Sequence, residues 1–346
     1  MRTLLFLLCL AYLPVSSLAQ LSEILKDPNV SWAATYESEI DFRLTSPREN
    51  SSIQLTKFIQ TAPSCNNFNN DNWLANWILD EMKAGKYQIY DDPSLSIIVS
   101  HSTLMNKIST IDTVITFDPN SYEERVQVIR NDIGQNDIVG FRAHQVIYYD
   151  KKQGGFNTQL LALAPMIKQT DPTGKIIGEM PLAWLAMGGQ ASKNLSPDSP
   201  DVTWAALLMD KKGSFLINKL KVQKDEQKKT FAEMLFQEAF SMKHPVRESV
   251  DYGCGNLLTK KELESMGSAV DTVITFDPVT YKETMQIVRN NLSPADVKTA
   301  SLVQEWYYDN RRKMLANRLK AIGPIVDKSD ENGNFLYSKI LYYLYF

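Results

Sequence analysis

The chain is poor in the side chains that carry most enzymatic chemistry: 346 residues include only three cysteines and three histidines. His101, His144 and His244 stand far apart, and no HExxH, CxxC, GxSxG or Walker-type loop occurs. The common zinc, dithiol, serine-hydrolase and nucleotide-binding motifs are therefore excluded. Charge of one sign is lacking too. With 37 Lys and Arg against 40 Asp and Glu, the net charge of −3 leaves no electrostatic footprint for nucleic acid. Long apolar runs are missing beyond Leu4–Leu13, which falls short of the ~20 residues a spanning helix needs.

That one run has a purpose of its own. Arg2 precedes it, and Ser17 and Ala19 follow at the spacing of a signal-peptidase site, so residues 1–19 read as a signal peptide cut between Ala19 and Gln20. Cleavage would leave 327 residues (346 less 19), room for two domains of ordinary size. Of the cysteines, Cys65 and Cys254 would survive in a compartment that permits disulfides. They lie at different distances from the repeat described next, and sequence leaves open a single bridge between the halves or two separate thiols.

What the chain does have is a repetition. DTVITFDP occurs at Asp112–Pro119 and again at Asp271–Pro278, an offset of 159 positions. At that offset residues 112–186 align with 271–345 without a gap: YYDKKQGGFNTQLLALAPM faces YYDNRRKMLANRLKAIGPI, and VQVIRNDIGQND faces MQIVRNNLSPAD. Farther back, DPNVSWAATY resembles SPDVTWAALL, but Trp32 lies 80 residues before Asp112 and Trp204 only 67 before Asp271. The first copy thus carries about thirteen extra residues, placed in the Asn/Ser/Pro-rich stretch from Ser46 to Asn72. A period this long exceeds the ~20–50 residues of solenoid repeats. The expected organisation is two similar units, 20–187 and 202–346, joined by a Gly/Ser/Pro-rich linker at 188–201.

Within each unit the patterning predicts α+β: helices preceding a small antiparallel sheet that includes a β-hairpin. VSWAATYESEIDF reads as an opening helix. DNWLANWILDEMKAG spaces Trp73, Leu74, Trp77, Ile78 and Met82 at helical intervals, with Gly85 as a stop, and TFAEMLFQEAF does the same in the second unit. KLKVQKDEQKK at Lys219–Lys229 reads as a solvated helix face or loop. HQVIYYD and FNTQLLALAPMI form a hairpin around a basic turn, and DPTG leads to a strand ending in PLAWLAM. The second unit repeats this and ends in KILYYLYF, an apolar strand that its own sheet or a partner must cover.

Polar residues shared by the copies are mostly turn formers: Asp118 and Asp277 before proline, Asp150 and Asp309 at the hairpin turn, Asp171 and Asp330 before Gly174 and Gly333. Glu124 and Glu283 are paired by the repeat, but nothing points to the second carboxyl group ~5–9 Å away that glycoside hydrolysis requires. No catalytic, metal or cofactor residue is assigned. The most informative feature is the hairpin tip. Lys151 and Lys152 follow Tyr148 and Tyr149, while Arg311, Arg312 and Lys313 follow Trp306, Tyr307 and Tyr308. Arginine beside Trp and Tyr is interface composition, so these ten residues are the candidate docking set, although the aromatics suit the core better.

The segments DTVITFDPVTYKETMQIVRN, VQEWYYDNRRKMLANRLKAIGPIVD and GNFLYSKILYYLYF, with DEMKAGKYQIYDD and VSWAATYESEIDFR in the first copy, resemble the GldN/PorN family of the gliding-motility and type IX secretion machinery. A usual member looks like one such unit, and here there are two; KKQGG replaces the Arg-rich tip in the first. The resemblance implies a periplasmic, non-enzymatic component that docks an outer-membrane lipoprotein of the GldK/PorK type and a GldM/PorM-like subunit. A rival reading is a periplasmic ligand-binding protein, its site lying between the duplicated halves and stacking on tryptophans such as Trp73, Trp77 and Trp184.

Overall fold

The computed structural model describes residues 17–40, 73–117, 123–170, 175–187, 199–210, 215–249, 256–266, 268–276, 283–329 and 335–346. Cys65, Cys254, residues 46–72 and residues 188–198 of the linker fall outside them. Helix α1 (Ser17–Lys26) leads into strand β1 (Val30–Ile40). Helix α2 (Trp73–Ala84), strand β2 (Ile89–Tyr90) and helix α3 (His101–Ile108) follow. Next come β3 (Ser109–Phe117), β4 (Glu124–Asp132), β5 (Ile138–Asp150), β6 (Gly155–Thr170), β7 (Ile176–Pro181) and β8 (Trp184–Ala186).

Beyond the linker stand β9 (Val202–Met209), β10 (Lys221–Asp225), α4 (Phe231–Ser241), β11 (Val246–Arg247) and α5 (Lys260–Met266). The chain closes with β12 (Ser268–Phe276), β13 (Glu283–Asn291), β14 (Val297–Asp309), β15 (Met314–Ser329), β16 (Phe335–Ile340) and β17 (Tyr343–Tyr345).

The class is α+β with antiparallel sheets. One sheet runs β10-β1-β5-β6-β8-β2 with β7 on β6, and the other runs β11-β17-β15-β14-β9 with β16 on β15. Moving 159 positions carries β5, β6, β7 and β8 onto β14, β15, β16 and β17. It also carries the bulge at His144/Gln145 onto the one at Val303/Gln304. The hairpin pairs β3–β4 and β12–β13 each form a separate two-stranded sheet.

Three sequence expectations need correction. VSWAATYESEIDF is strand β1 and not a helix. Trp32, Ala34 and Tyr36 enter one core cluster while Val30 and Ala33 enter another, so both faces are buried and no clean alternation shows. KLKVQKDEQKK is neither helix nor loop throughout: it includes β10, which pairs with β1 as the edge of the first sheet. Its lysines suit that place, because charge on an edge strand discourages further pairing. The sheets are also larger than expected, with seven and six strands, and in each half a long strand precedes the helices. The edge of the first sheet therefore comes from chain beyond the linker.

Helices α2 and α4 behave as their spacing predicts. Gly85 ends α2 in the left-handed region at φ 64, and Thr230 starts α4 with a capping box to Glu233. Their apolar faces fill two cores, and both cores draw on both sheets. Around α4 lie Trp32, Ala34, Ile147 and Phe156 of the first sheet with Leu302, Leu319, Ile322 and Leu344 of the second. Around α2 lie Phe141, Leu160 and Leu163 with Ala206, Trp306, Tyr308 and Leu315. Burying one such aromatic or leucine contributes about 2 kcal/mol, so the halves are joined by their cores.

The terminal apolar strand is covered from within. β17 pairs β15 and β11, and the Phe346 ring lies 5.9 Å from Phe156 and 5.1 Å from His244. At Gly155 an added Cβ would come within 2.7 Å of Phe346, which explains a residue without a side chain there.

Candidate docking surface and the cleft between the sheets

The two basic hairpin tips are built by aspartates. Asp150 Oδ1 accepts from the backbone N–H of Lys152 at 2.8 Å and of Gln153 at 3.1 Å, and Asp309 Oδ1 accepts from Arg312 N–H at 3.0 Å. Both carboxylates are buried while the basic residues after them are exposed. Lys151 Nζ meets Glu226 at 3.1 Å, tying the first tip to the end of β10. Lys152, Arg311, Arg312 and Lys313 face solvent. Arg312 lies 3.7 Å from Asp309, and Lys313 Nζ donates to Asn310 at 2.6 Å.

The aromatics before the tips are structural. Trp306 and Tyr307 are wholly buried and Tyr308 nearly so; Tyr148 and Tyr149 are half-buried. Tyr149 donates its hydroxyl to Glu238 Oε1 at 2.7 Å. Burial, and secondarily that carboxyl group, push its ionisation well up; burial likewise raises Tyr148 to about 12. Of the ten candidate docking residues the accessible ones are thus the basic ones.

One position separates the tips. Gly154 has φ 70, and Lys313, its counterpart 159 residues on, has φ 55. A lysine there carries the left-handed penalty that glycine avoids. Lys313→Gly should therefore stabilise the protein by about 1 kcal/mol, read as a rise of a few degrees in melting temperature.

Between the sheets, a cleft of about 510 Å³ is bounded by Glu23, Asp27, Tyr307, Arg318, His244 and Phe346, among others. The tryptophans lie elsewhere. Trp184 is buried, and Trp73 stacks on Trp204 at 4.9 Å and on Trp77 at 6.0 Å in the α2 core.

Each histidine has a local role. His101 Nε2 lies 2.9 Å from the Lys83 carbonyl, and His244 Nε2 lies 2.6 Å from the Gly154 carbonyl. Burial lowers His144 to about 4, so it is neutral at pH 7. Glu124 is exposed on the β3–β4 hairpin. Among the described residues no His, Cys, Asp and Glu group is arranged to hold a metal, and no helix is long and apolar enough to cross a membrane. The Ala19–Gln20 bond lies inside α1, and Gln20 is buried, donating Nε2 to Met187 O and accepting from Gln159 Nε2, both at 2.8 Å.

Sequence patterning did not bring out a buried polar cluster where the sheets meet. Asn317 Oδ1 accepts from Leu160 N–H at 2.9 Å, while Asn317 Nδ2 donates to Gln145 Oε1 at 2.6 Å and Gln304 Oε1 at 2.8 Å. Gln304 Nε2 donates to Tyr36 at 3.2 Å, and Trp306 Nε1 donates to Gln304 Oε1 at 3.0 Å. Gln145 Nε2 donates to Ser38 at 3.3 Å, and Ser38 in turn bonds the buried carboxyl of Asp210. The available signal was a glutamine at position 145 and again at 304, each in an otherwise apolar strand.

Two antiparallel sheets sharing their cores, with basic hairpin tips and two separate β-arms, make a scaffold-like α+β protein. The family model described as gliding motility associated protein GldN matches it twice, over residues 25–241 and 218–346. The chain belongs to the GldN family, whose members are components of the gliding-motility and type IX secretion apparatus. A search of curated proteins found no match.

Proposed function

We propose that this protein is a non-enzymatic, periplasmic assembly component made of two GldN units, 20–187 and 202–346, that acts by docking other proteins. The observation that carries this reading is the double match to the family model, which extends over both halves of the chain. Residues 1–19 serve as the export signal, and the partners are an outer-membrane lipoprotein of the GldK/PorK type and a GldM/PorM-like subunit. The exposed basic tips supply the contact: arginine and lysine on a rigid hairpin suit an acidic partner surface and sharpen orientation as well as rate.

The test is co-purification from cell envelopes. Reversing Lys152, Arg311 and Arg312 to Glu should cut recovery of the lipoprotein by roughly tenfold while shifting the melting temperature by only about 2 °C, because exposed charges add little stability. Equal recovery would defeat the assignment of the tips, and absence of any envelope partner would defeat the assembly role.

A second reading rests on the cleft between the sheets: its size suits a small polar ligand held by Arg318 and His244. A thermal-shift screen in which one sugar or peptide raises the melting temperature by several degrees would favour it over docking.

A further inference from the structure

The two β-arms are the least explained part of the molecule. β3 and β4 pair only with each other, with Ile115 opposite Val126, Thr113 opposite Val128, Ile111 opposite Arg130 and Phe117 opposite Glu124. Alternation along each strand places these eight residues on one face. Its apolar members are open to solvent: Ile111 is 68% exposed, Ile115 56%, Phe117 61%, Val126 63% and Val128 65%. A two-stranded ribbon is marginally stable alone, and a contiguous apolar face of this kind marks an interaction surface.

We infer that this face is a self-association surface, on which the β3–β4 arm of a second copy of the chain stacks in antiparallel orientation. Charge placement selects the occupant. Glu124 lies at the outer end of the face and Arg130 toward its base, so a twofold-related copy brings each Glu124 toward the other copy's Arg130 and centres Ile115 and Val126 on their own equivalents. Arg130 is held by Asp132 at 2.9 Å but remains exposed, so its remaining donors are available to the incoming carboxylate. A membrane surface fits less well, because Glu123 and Glu124 flank the outer apolar end and would face anionic headgroups.

Area sets the strength. Nine residues at ~3.4 Å per residue and a width of ~10 Å give roughly 300 Å² per arm, well under the ~800 Å² per partner of a stable complex. The contact is therefore weak and concentration-dependent. This surface goes beyond the docking of envelope partners and does not depend on it.

The experiment is analytical ultracentrifugation of the purified protein from about 1 to 500 μM. Wild type should show a reversible monomer–dimer equilibrium. Ile115→Lys with Val126→Lys, both at exposed positions, should weaken it by more than ~100-fold without loss of the folded circular-dichroism signal. Glu124→Arg and Arg130→Glu should each weaken it by about tenfold, and the double reversal should restore it. A wild type that stays monomeric at all concentrations, or lysine variants that dimerise unchanged, would overturn the inference. So would flotation of the wild type, but not the lysine variant, with phosphatidylglycerol vesicles in place of dimerisation.

Discussion

Replacing Asp210 with Asn should raise the melting temperature at pH 8, lower it slightly at pH 5, and flatten the pH dependence between. Asp210 ends the strand segment after β9 and is bridged to Ile40, at the meeting point of the two sheets. Its carboxyl is buried, Oδ2 has no hydrogen-bond partner, and burial pushes its pKa up to about 8, only partly offset by Ser38. The unfolded chain ionises this group near pH 4, whereas the folded protein holds the proton until about pH 8. Between those values the folded state binds more protons, so stability falls as pH rises, by up to ~1.4 kcal/mol per pH unit. Above pH 8 the penalty is constant, and below pH 4 it vanishes.

An amide cannot ionise, so Asp210→Asn removes the whole slope. At pH 8 the gain should be on the order of 3 kcal/mol, after the cost of an amide N–H₂ where Oδ2 had no partner. At pH 5 the protonated acid and the amide are nearly isosteric, and only that cost remains. The titratable neighbour Tyr36 stays neutral throughout, because burial and the same carboxyl raise its pKa well above the usual value. Thermal melts of both proteins from pH 5 to pH 9 check this; parallel curves would show that Asp210 is solvated.

Much of the fold could be read from the sequence, and the exceptions share a cause. Helices α2 and α4 are legible because each buries one face, leaving apolar residues at 3.6-residue spacing. The β5–β6 hairpin is legible from Asp150 and the strong strand formers beside it. β1 was misread because it is buried on both sides and its alternation is erased. β10 was misread because its lysines reflect a sheet edge, which depends on a strand about 190 residues away (Trp32 to Asp225). For the candidate site, the basic tips were legible as a local pattern, whereas the aromatics before them could be assigned to the core only once both sheets were in place. The arms were hidden for the opposite reason: DTVITF alternates as any half-buried strand does, and nothing local says that no sheet covers it.

The other large effect belongs to Asn317, and it follows from the bulges. In the first sheet His144 pairs with Ala162 and Gln145 with Leu160, so the ladder skips Leu161 and the Leu160 N–H is turned toward the second sheet. Asn317 of β15 accepts that N–H and donates to both glutamines, so a single side chain satisfies three buried groups from three strands. Asn317→Ala removes all three bonds. Gln304 Oε1 keeps its bond from Trp306, but Leu160 N–H and Gln145 Oε1 are stranded in a site closed to water. Two orphaned polar groups and a small cavity cost roughly 3–5 kcal/mol, or on the order of 10 °C in melting temperature. Asn317→Asp separates the bonds. The carboxylate still accepts from Leu160, but it faces two carbonyl oxygens and can be relieved only if Gln145 turns its amide and gives up Ser38. It should therefore destabilise as much as alanine at pH 8 and less at pH 5, where the protonated acid donates again. A loss below about 1 kcal/mol for Asn317→Ala would mean that water reaches the cluster, and that the sheets are joined by their apolar cores alone.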